Sequence, residues 1–202
     1  MGSGIAIASR YPITASFSQP YGPTSCAGWD CLANKGVMLV RIAVPGLADP
    51  IEIATTHMNA QGASKAPPEK HLAAHNAQSA ELADFLATLR CDRLYLVGDI
   101  VDLWWLAQRR ADWGRDQHRV VECLHALARA GTELVYVPGN HDRPIRRYCG
   151  LMLPNMQVRR RAIHSLRDGR RLLVTHGDDY DAITQFGGFQ EMFGDWLYER
   201  IL

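Results

Sequence analysis

The sequence predicts an α/β (α+β) fold with a metal site at strand ends. Two observations carry that expectation. Short apolar runs alternate with helix-like stretches in the second half, the order that builds a sheet with crossover helices. Three of those runs also end in metal-binding residue types: Leu94-Tyr95-Leu96-Val97-Gly98-Asp99, Leu134-Val135-Tyr136-Val137-Pro138-Gly139-Asn140-His141-Asp142 and Leu172-Leu173-Val174-Thr175-His176-Gly177-Asp178. A buried strand ending in this way sets oxygen and imidazole ligands at the rim of a sheet, where open α/β sheets keep their ligand crevices.

The elements follow in order. Ile5-Ala6-Ile7-Ala8 is strand-like, and Tyr21–Asn34 is a long loop rich in Gly, Pro and Cys. Val37–Val44 and Ile51–Thr55 are β-rich runs separated by Pro45-Gly46, a turn signal. Pro67-Pro68 stops the chain ahead of a helix from Glu69 to Leu89, whose Leu72, Ala73, Ala77, Ala80, Ala83 and Leu86 make an apolar stripe. Leu94–Val97 then leads into a segment holding Trp104, Trp105 and Trp113. A helix over Gln117–Ala130 presents Val120, Leu124 and Leu127 on one face and precedes a strand at Leu134–Val137. After a loop through Arg143–Asn155 come two short strands, Gln157–His164 and Arg171–Thr175, joined by Arg167-Asp168-Gly169-Arg170. A last helix from Ala182 carries Phe186, Phe189, Phe193, Trp196 and Leu197.

Bulk properties narrow the function classes. With 202 residues, 47% apolar and 21% charged, the chain has the composition of a soluble globular protein with one well-buried domain or parts of two. A net charge of +1 gives no global field toward nucleic acid or membrane. Its one basic cluster, Arg159-Arg160-Arg161, reads as a solvated strand edge or a phosphate contact. No apolar run is long enough to span a bilayer, and Met1–Ala15 does not read as a signal peptide. Cys26, Cys31, Cys91, Cys123 and Cys149 read as reduced cytosolic thiols, although Cys26 and Cys31 are close enough to pair in an oxidising compartment. Residues 1–88 hold three Lys and two Arg, whereas residues 89–202 hold seventeen Arg and no Lys. That switch divides the chain at residue 88 into segments of different composition.

The chemistry sits in the second segment. Asp99, at a strand end after a small Gly, can bridge two divalent cations, as two-metal hydrolases require. The Asn140 carbonyl is a hard oxygen ligand, and His141 beside a metal can give a proton to a leaving group. His176 supplies a nitrogen ligand that Asp178 can orient. Together the three clusters point to a metal-dependent phosphoesterase.

These residues resemble the calcineurin-like metallophosphoesterases, and more narrowly their UDP-2,3-diacylglucosamine diphosphatase branch of lipid A synthesis. The likeness covers residues 83–202 through "RCDRLYLVGDIVDLW", "VPGNHD", "DGRRLLVTHGDDYD" and "FGDWLYERIL". It implies that Asp99 bridges the metals, that Asn140 and His176 hold one of them, and that His141 is the catalytic histidine. It further implies Mn²⁺, hydrolysis of a pyrophosphate bond in a nucleotide-linked glycolipid, and a cytoplasmic location with peripheral contact at the inner membrane. There Trp104, Trp105 and Phe186 would meet acyl chains or pack as core or lid. The family's opening Asp-x-His has no counterpart before Asp99, and no Gly-His-x-His follows His176 through Leu202.

Residues 3–86 resemble a different group, the endonuclease/exonuclease/phosphatase (DNase I-like) superfamily, through "SGIAIASRYPI", "CLANKGVMLVRIAVPG" and "IEIATTHMNAQ". His57 matches the histidine such enzymes keep near the scissile phosphate. Both families build a sandwich of two sheets flanked by helices, so the combined expectation is a partial, layered αββα arrangement. Its parts are a truncated nuclease-like segment, 1–88, and a truncated phosphoesterase domain, 89–202. The alternatives to a metallophosphoesterase are therefore a nuclease or phosphodiesterase using His57, or a non-catalytic chain with an incomplete metal site.

Overall fold

Alternating β-branched residues drive Gly36–Ile42 and Ile51–Thr56 into neighbouring antiparallel strands, with Val40 opposite Ile53 and Ile42 opposite Ile51. The computed structural model describes residues 5–33, 35–60, 64–101, 103, 106 and 113–180. It divides into two units. Unit 1 comprises Met1–Thr88, Gly114–Val120 and Leu166–Gly169, and unit 2 comprises Leu89–Trp113, Val121–Ser165 and Arg170–Leu202. Trp104, Trp105 and the helix expected from Ala182 lie outside the described residues. Sheets and helices mix as the α/β expectation requires.

In unit 1, β1 (Ile13–Pro20), β2 (Gly36–Ile42) and β3 (Ile51–Thr56) form a three-stranded antiparallel sheet in that order. Val40, Ile42 and Val44 are its buried core, packed by Ile7, Met38, Leu47 and Ile51. The strand expected at Ile5–Ala8 is absent; Ile7 fills the core from an irregular segment, and the first strand is Ile13–Pro20. That strand is exposed along its whole length, although Ile13, Ala15 and Phe17 alternate with Thr14, Ser16 and Ser18 in the period of a strand.

Helix α1 (Pro68–Thr88) is held largely by polar contacts. Its buried face is Ala74, Gln78, Ser79, Ala83 and Leu86, rotated from the alanine stripe that the sequence suggests. Gln78 is fully buried because both ends of its amide are used. The carbonyl accepts from Asn59 N at 2.7 Å, and the amino group donates to Ser25 O at 2.7 Å. Glu81 accepts from Gly22 N and from the Ser25 hydroxyl, fastening the loop after β1 to the helix. Within that loop Cys26 and Cys31 form a disulfide, which corrects the expectation of reduced thiols at these two positions; Cys91, Cys123 and Cys149 are not in disulfides. The bridged segment contains Asp30, whose carboxylate takes the buried Lys35 ammonium at 2.8 Å and the Ala60 N–H at 2.7 Å. A buried ion pair persists only when its remaining hydrogen-bonding capacity is met. Here Lys35 also donates to Met58 O at 2.8 Å.

In unit 2, β4 (Arg93–Val97) and β5 (Glu133–Val137) pair in parallel, with Leu96 opposite Tyr136. Between them in sequence lies helix α2 (Arg115–Arg129), whose buried Leu124, Leu127 and Ala128 belong to unit 2. β7 (Met156–Val158) joins β5 in parallel and β6 (Met152–Leu153) pairs antiparallel with β7, completing a four-stranded sheet in the order β4-β5-β7-β6. The hairpin β8 (Ala162–Ser165) and β9 (Arg171–Val174) is a second, two-stranded sheet. Val135, Val137 and Ala162 bury together with Tyr95 and Val174 against them, so the hairpin closes over the β4–β5 face. The single strand expected over Gln157–His164 is thus two strands in different sheets, parted at residues 159–161. Parallel pairing points the ends of β4 and β5 the same way, which sets the stage for the site.

Unit 1 should be acid-sensitive. His71 Nδ1 accepts from the Asn59 side-chain NH2 at 2.9 Å, and burial, then the neighbouring His75, push its pKa down to about 4 from 6.5. A folded-state pKa below the unfolded value favours the neutral ring, so this stability is present above pH 6.5 and is lost as pH falls through about 4. We expect the urea midpoint to drop across that window and His71→Gln to flatten the drop. An unchanged slope in the variant would contradict the assignment.

Candidate metal centre at the strand ends

β4 ends in Gly98 and Asp99, both in the left-handed region with φ of +71° and +53°. Glycine adopts this conformation freely and aspartate tolerates it, so the pair reverses the chain abruptly at the sheet rim. Gly98 N still donates to Val137 O at 2.8 Å, keeping the two strand ends together. A side chain at Gly98 would not fit: its Cβ would lie 1.8 Å from Cδ2 of His176. Gly139, at the end of β5, is equally confined, with its Cβ position 2.3 Å from Asp99 Oδ1 and 2.9 Å from His176 Cε1. Two glycines therefore clear the space in which a carboxylate and an imidazole meet.

His176 follows β9, and its Nε2 lies 3.6 Å from Asp99 Oδ2. That is too long for a hydrogen bond. It is the separation of two ligands of one cation, since donors about 2.1 Å from an ion stand about 3–4 Å apart. The opposite ring nitrogen, Nδ1, is 3.2 Å from Asp178 Oδ1, as the sequence anticipates for an orienting carboxylate. The other oxygen of Asp99 accepts the His141 backbone N–H at 2.9 Å, which brings the Asn140–His141 turn against Asp99. Asn140 and His141 are both half-buried on this turn. The residue types and cradle thus fit a divalent cation between Asp99 and His176, with Asn140 the adjoining oxygen donor. Among the described residues no cluster of three or more His, Cys, Asp and Glu is arranged to hold a metal. His164 lies on β8 and bonds the Tyr95 hydroxyl through Nδ1 at 2.9 Å, a packing role. His57 directly follows β3 in unit 1; burial, then the Lys35 charge, lower its pKa while Asp30 opposes them.

Asp142 is a residue whose importance the motif alone does not reveal. It is 0% exposed and accepts three donors: the Tyr136 hydroxyl at 2.5 Å, Gly139 N at 2.5 Å and Ile100 N at 3.0 Å. Burial, and secondly the bond to Asp142, raise the Tyr136 pKa, so the phenol remains a donor. An acid three residues after a turn glycine is a local signal for the Gly139 bond; the Ile100 bond, across 42 residues, has none. Arg146, in the 3₁₀ turn Arg143–Tyr148, is the second such residue and pairs with Asp178.

A carboxylate after β4 and an imidazole after β9 face each other at 3.6 Å, a pair of residue types that a divalent cation can take. The family follows from comparison: the model of the calcineurin-like phosphoesterases matches residues 48–199, and the chain belongs to that family. Its members are metal-dependent phosphoester hydrolases that generally use divalent cations. No curated protein and no solved structure matches the chain.

Two outcomes follow from the geometry. Asp142→Ala takes the acceptor from the buried Tyr136 hydroxyl and Gly139 N–H and from the part-buried Ile100 N–H, and should cost about 3 kcal/mol in urea unfolding; a loss below about 1 kcal/mol would mean these donors find other partners. Gly98→Ala combines a left-handed backbone with a clash on the His176 ring. It should weaken Mn²⁺ binding measured by electron paramagnetic resonance as well as lower Tm, whereas a drop in Tm alone would place the ring elsewhere.

Proposed function

We propose that this protein hydrolyses a pyrophosphate bond in a nucleotide-linked, acylated sugar, in the manner of the UDP-2,3-diacylglucosamine diphosphatases, with Mn²⁺ as the metal. The observation that carries the reading is the convergence of Asp99 Oδ2 and His176 Nε2 at 3.6 Å, with the His141 N–H fixed on the other oxygen of Asp99. A divalent cation bound there supplies positive charge beside phosphorus and acidifies water. The chain's own contributions are distinct. Asp99 and His176 bind the cation, and Asn140 adds an oxygen donor. Asp178 fixes the imidazole orientation. The His141 side chain delivers a proton to the departing oxygen.

The finer points rest on the motif likeness and on composition. All seventeen basic residues after residue 88 are arginines, whose planar fork suits phosphate oxygens. The likeness also supports a cytoplasmic protein touching the inner membrane peripherally; among the described residues no helix is long and apolar enough to cross one.

The test is Mn²⁺-dependent hydrolysis of bis-p-nitrophenyl phosphate, and then of a nucleotide-diphosphate sugar. Asp99→Ala should remove at least 100-fold of the turnover, on the order of what one electrostatic contact contributes, and His57→Ala should leave it unchanged. Turnover lost with His57→Ala but kept with Asp99→Ala would move the site to unit 1 and favour the nuclease-like alternative. Metal binding without turnover would favour the non-catalytic one.

A further inference from the structure

We propose that Arg146 is a positioning residue for the metal centre. It aims the Asp178 carboxylate so that His176 is held as the Nδ1–H tautomer with its Nε2 lone pair facing Asp99. The inference rests on the metallophosphoesterase reading of this site and adds to it a residue outside the motifs.

The argument begins with what each group needs. A neutral imidazole binds a cation through one nitrogen only if the proton sits on the other, and the hydrogen bond made by that other nitrogen selects the tautomer. In His176 the nitrogen facing away from Asp99 is Nδ1, and its partner is Asp178 Oδ1 at 3.2 Å. Asp178 opens the 3₁₀ turn Asp178–Tyr180, and the backbone of that turn leaves the direction of its carboxylate to side-chain partners. The bond that directs it comes from Arg146 Nη2, which donates to Asp178 Oδ2 and also to Pro138 O at 3.4 Å. One oxygen of Asp178 is thereby anchored and the other is left for His176.

The burial of the pair separates it from a surface ion pair. The side chains of Arg146 and Asp178 are 18% and 9% exposed, so the contact is largely screened from water and salt. Arg146 Nε is buried with no acceptor among the described residues. An arginine serving only to complete local hydrogen bonding would not leave a buried donor unmet. What its guanidinium does satisfy is the carboxylate on His176 and the carbonyl that follows β5, so the ends of β5 and β9 are tied through one cationic head. Arg146 belongs to the 3₁₀ turn that begins directly after Asp142, which means that the Asn140–Asp142 turn and the His176 ring share one support.

The decisive experiment reads the tautomer directly in the metal-free protein by long-range ¹H–¹⁵N correlation of His176, alongside Mn²⁺ affinity by electron paramagnetic resonance. The wild type should show the Nδ1–H form. Arg146→Met should shift it to a mixture and weaken Mn²⁺ binding about 10-fold, the lower end of the range for a group that orients a ligand. Arg146→Lys, which keeps a cationic donor, should recover most of both. Should Arg146→Met fail to fold by circular dichroism, Arg146→Gln is the substitute, with the same mixture expected. A wild-type ring that is not Nδ1–H, or variants that keep wild-type tautomer and affinity, would overturn the proposal. The tautomer is read without metal or substrate. Absence of Mn²⁺-dependent turnover with an Arg146-dependent tautomer would therefore sink the phosphoesterase reading and leave this one standing.

Discussion

The arrangement of unit 2 depends on one buried carboxylate. An ionised Asp142 with no contact to water would be costly by itself. It is tolerated because three donors converge on it, one from within β5 (Tyr136), one from the β5 end (Gly139) and one from just beyond the β4 end (Ile100). The consequence is geometric. Gly139 and Ile100 flank Asn140 and Asp99 in sequence, so fixing their N–H groups on one carboxylate fixes the spacing of the two loops that supply candidate ligands. The bond from His141 N to Asp99 Oδ1 then forms between backbones already in place. The same anchoring holds the left-handed turn at Gly98 and Asp99 in place.

Unit 1 is held by a different kind of contact. Its sheet has a small apolar core, and its helix is joined to the loops by Gln78, Glu81 and Asn59 more than by hydrophobic burial. Hydrogen bonds of this sort contribute modestly each, about 1 kcal/mol, but they are directional. They therefore define where Asp30, Lys35 and His71 lie. The family match begins at residue 48, so it takes in β3 and α1 as well as unit 2.

What the sequence makes legible tracks how local the cause is. The β4, β5 and β9 runs and helix α2 are read within a residue or two because each is a continuous local apolar pattern, which in β5 and α2 coincides with burial. β1 goes unread although Ile13, Ala15 and Phe17 alternate with polar residues; its pattern is short and none of it is buried. The buried face of α1 is misread for the opposite reason: Gln78 and Ser79 are inside because partners 19 and 4 residues away satisfy them, which a hydrophobicity count cannot register. At the site, Asp99, His141 and His176 are legible as strand-end residues, and the structure brings them together. Arg146 is not, because its partner Asp178 is 32 residues distant and its value lies in a salt bridge with no local signature.

The two oxygens of Asp99 divide their tasks. Oδ1 takes the His141 N–H, and Oδ2 faces His176. A carboxylate oxygen has two lone pairs, so the N–H bond does not exhaust Oδ1. Asp99 can therefore be held in place by the fold and still present an oxygen to a cation on each side. A purely structural aspartate at a turn would spend both oxygens on backbone donors, as Asp142 does three residues after Gly139. Asp99 instead leaves Oδ2 partly exposed and opposite an imidazole that Asp178 turns toward it. That contrast between two carboxylates, one saturated by the fold and one with an oxygen left over, is the physical reason that Asp99 and not Asp142 has an oxygen to offer a cation.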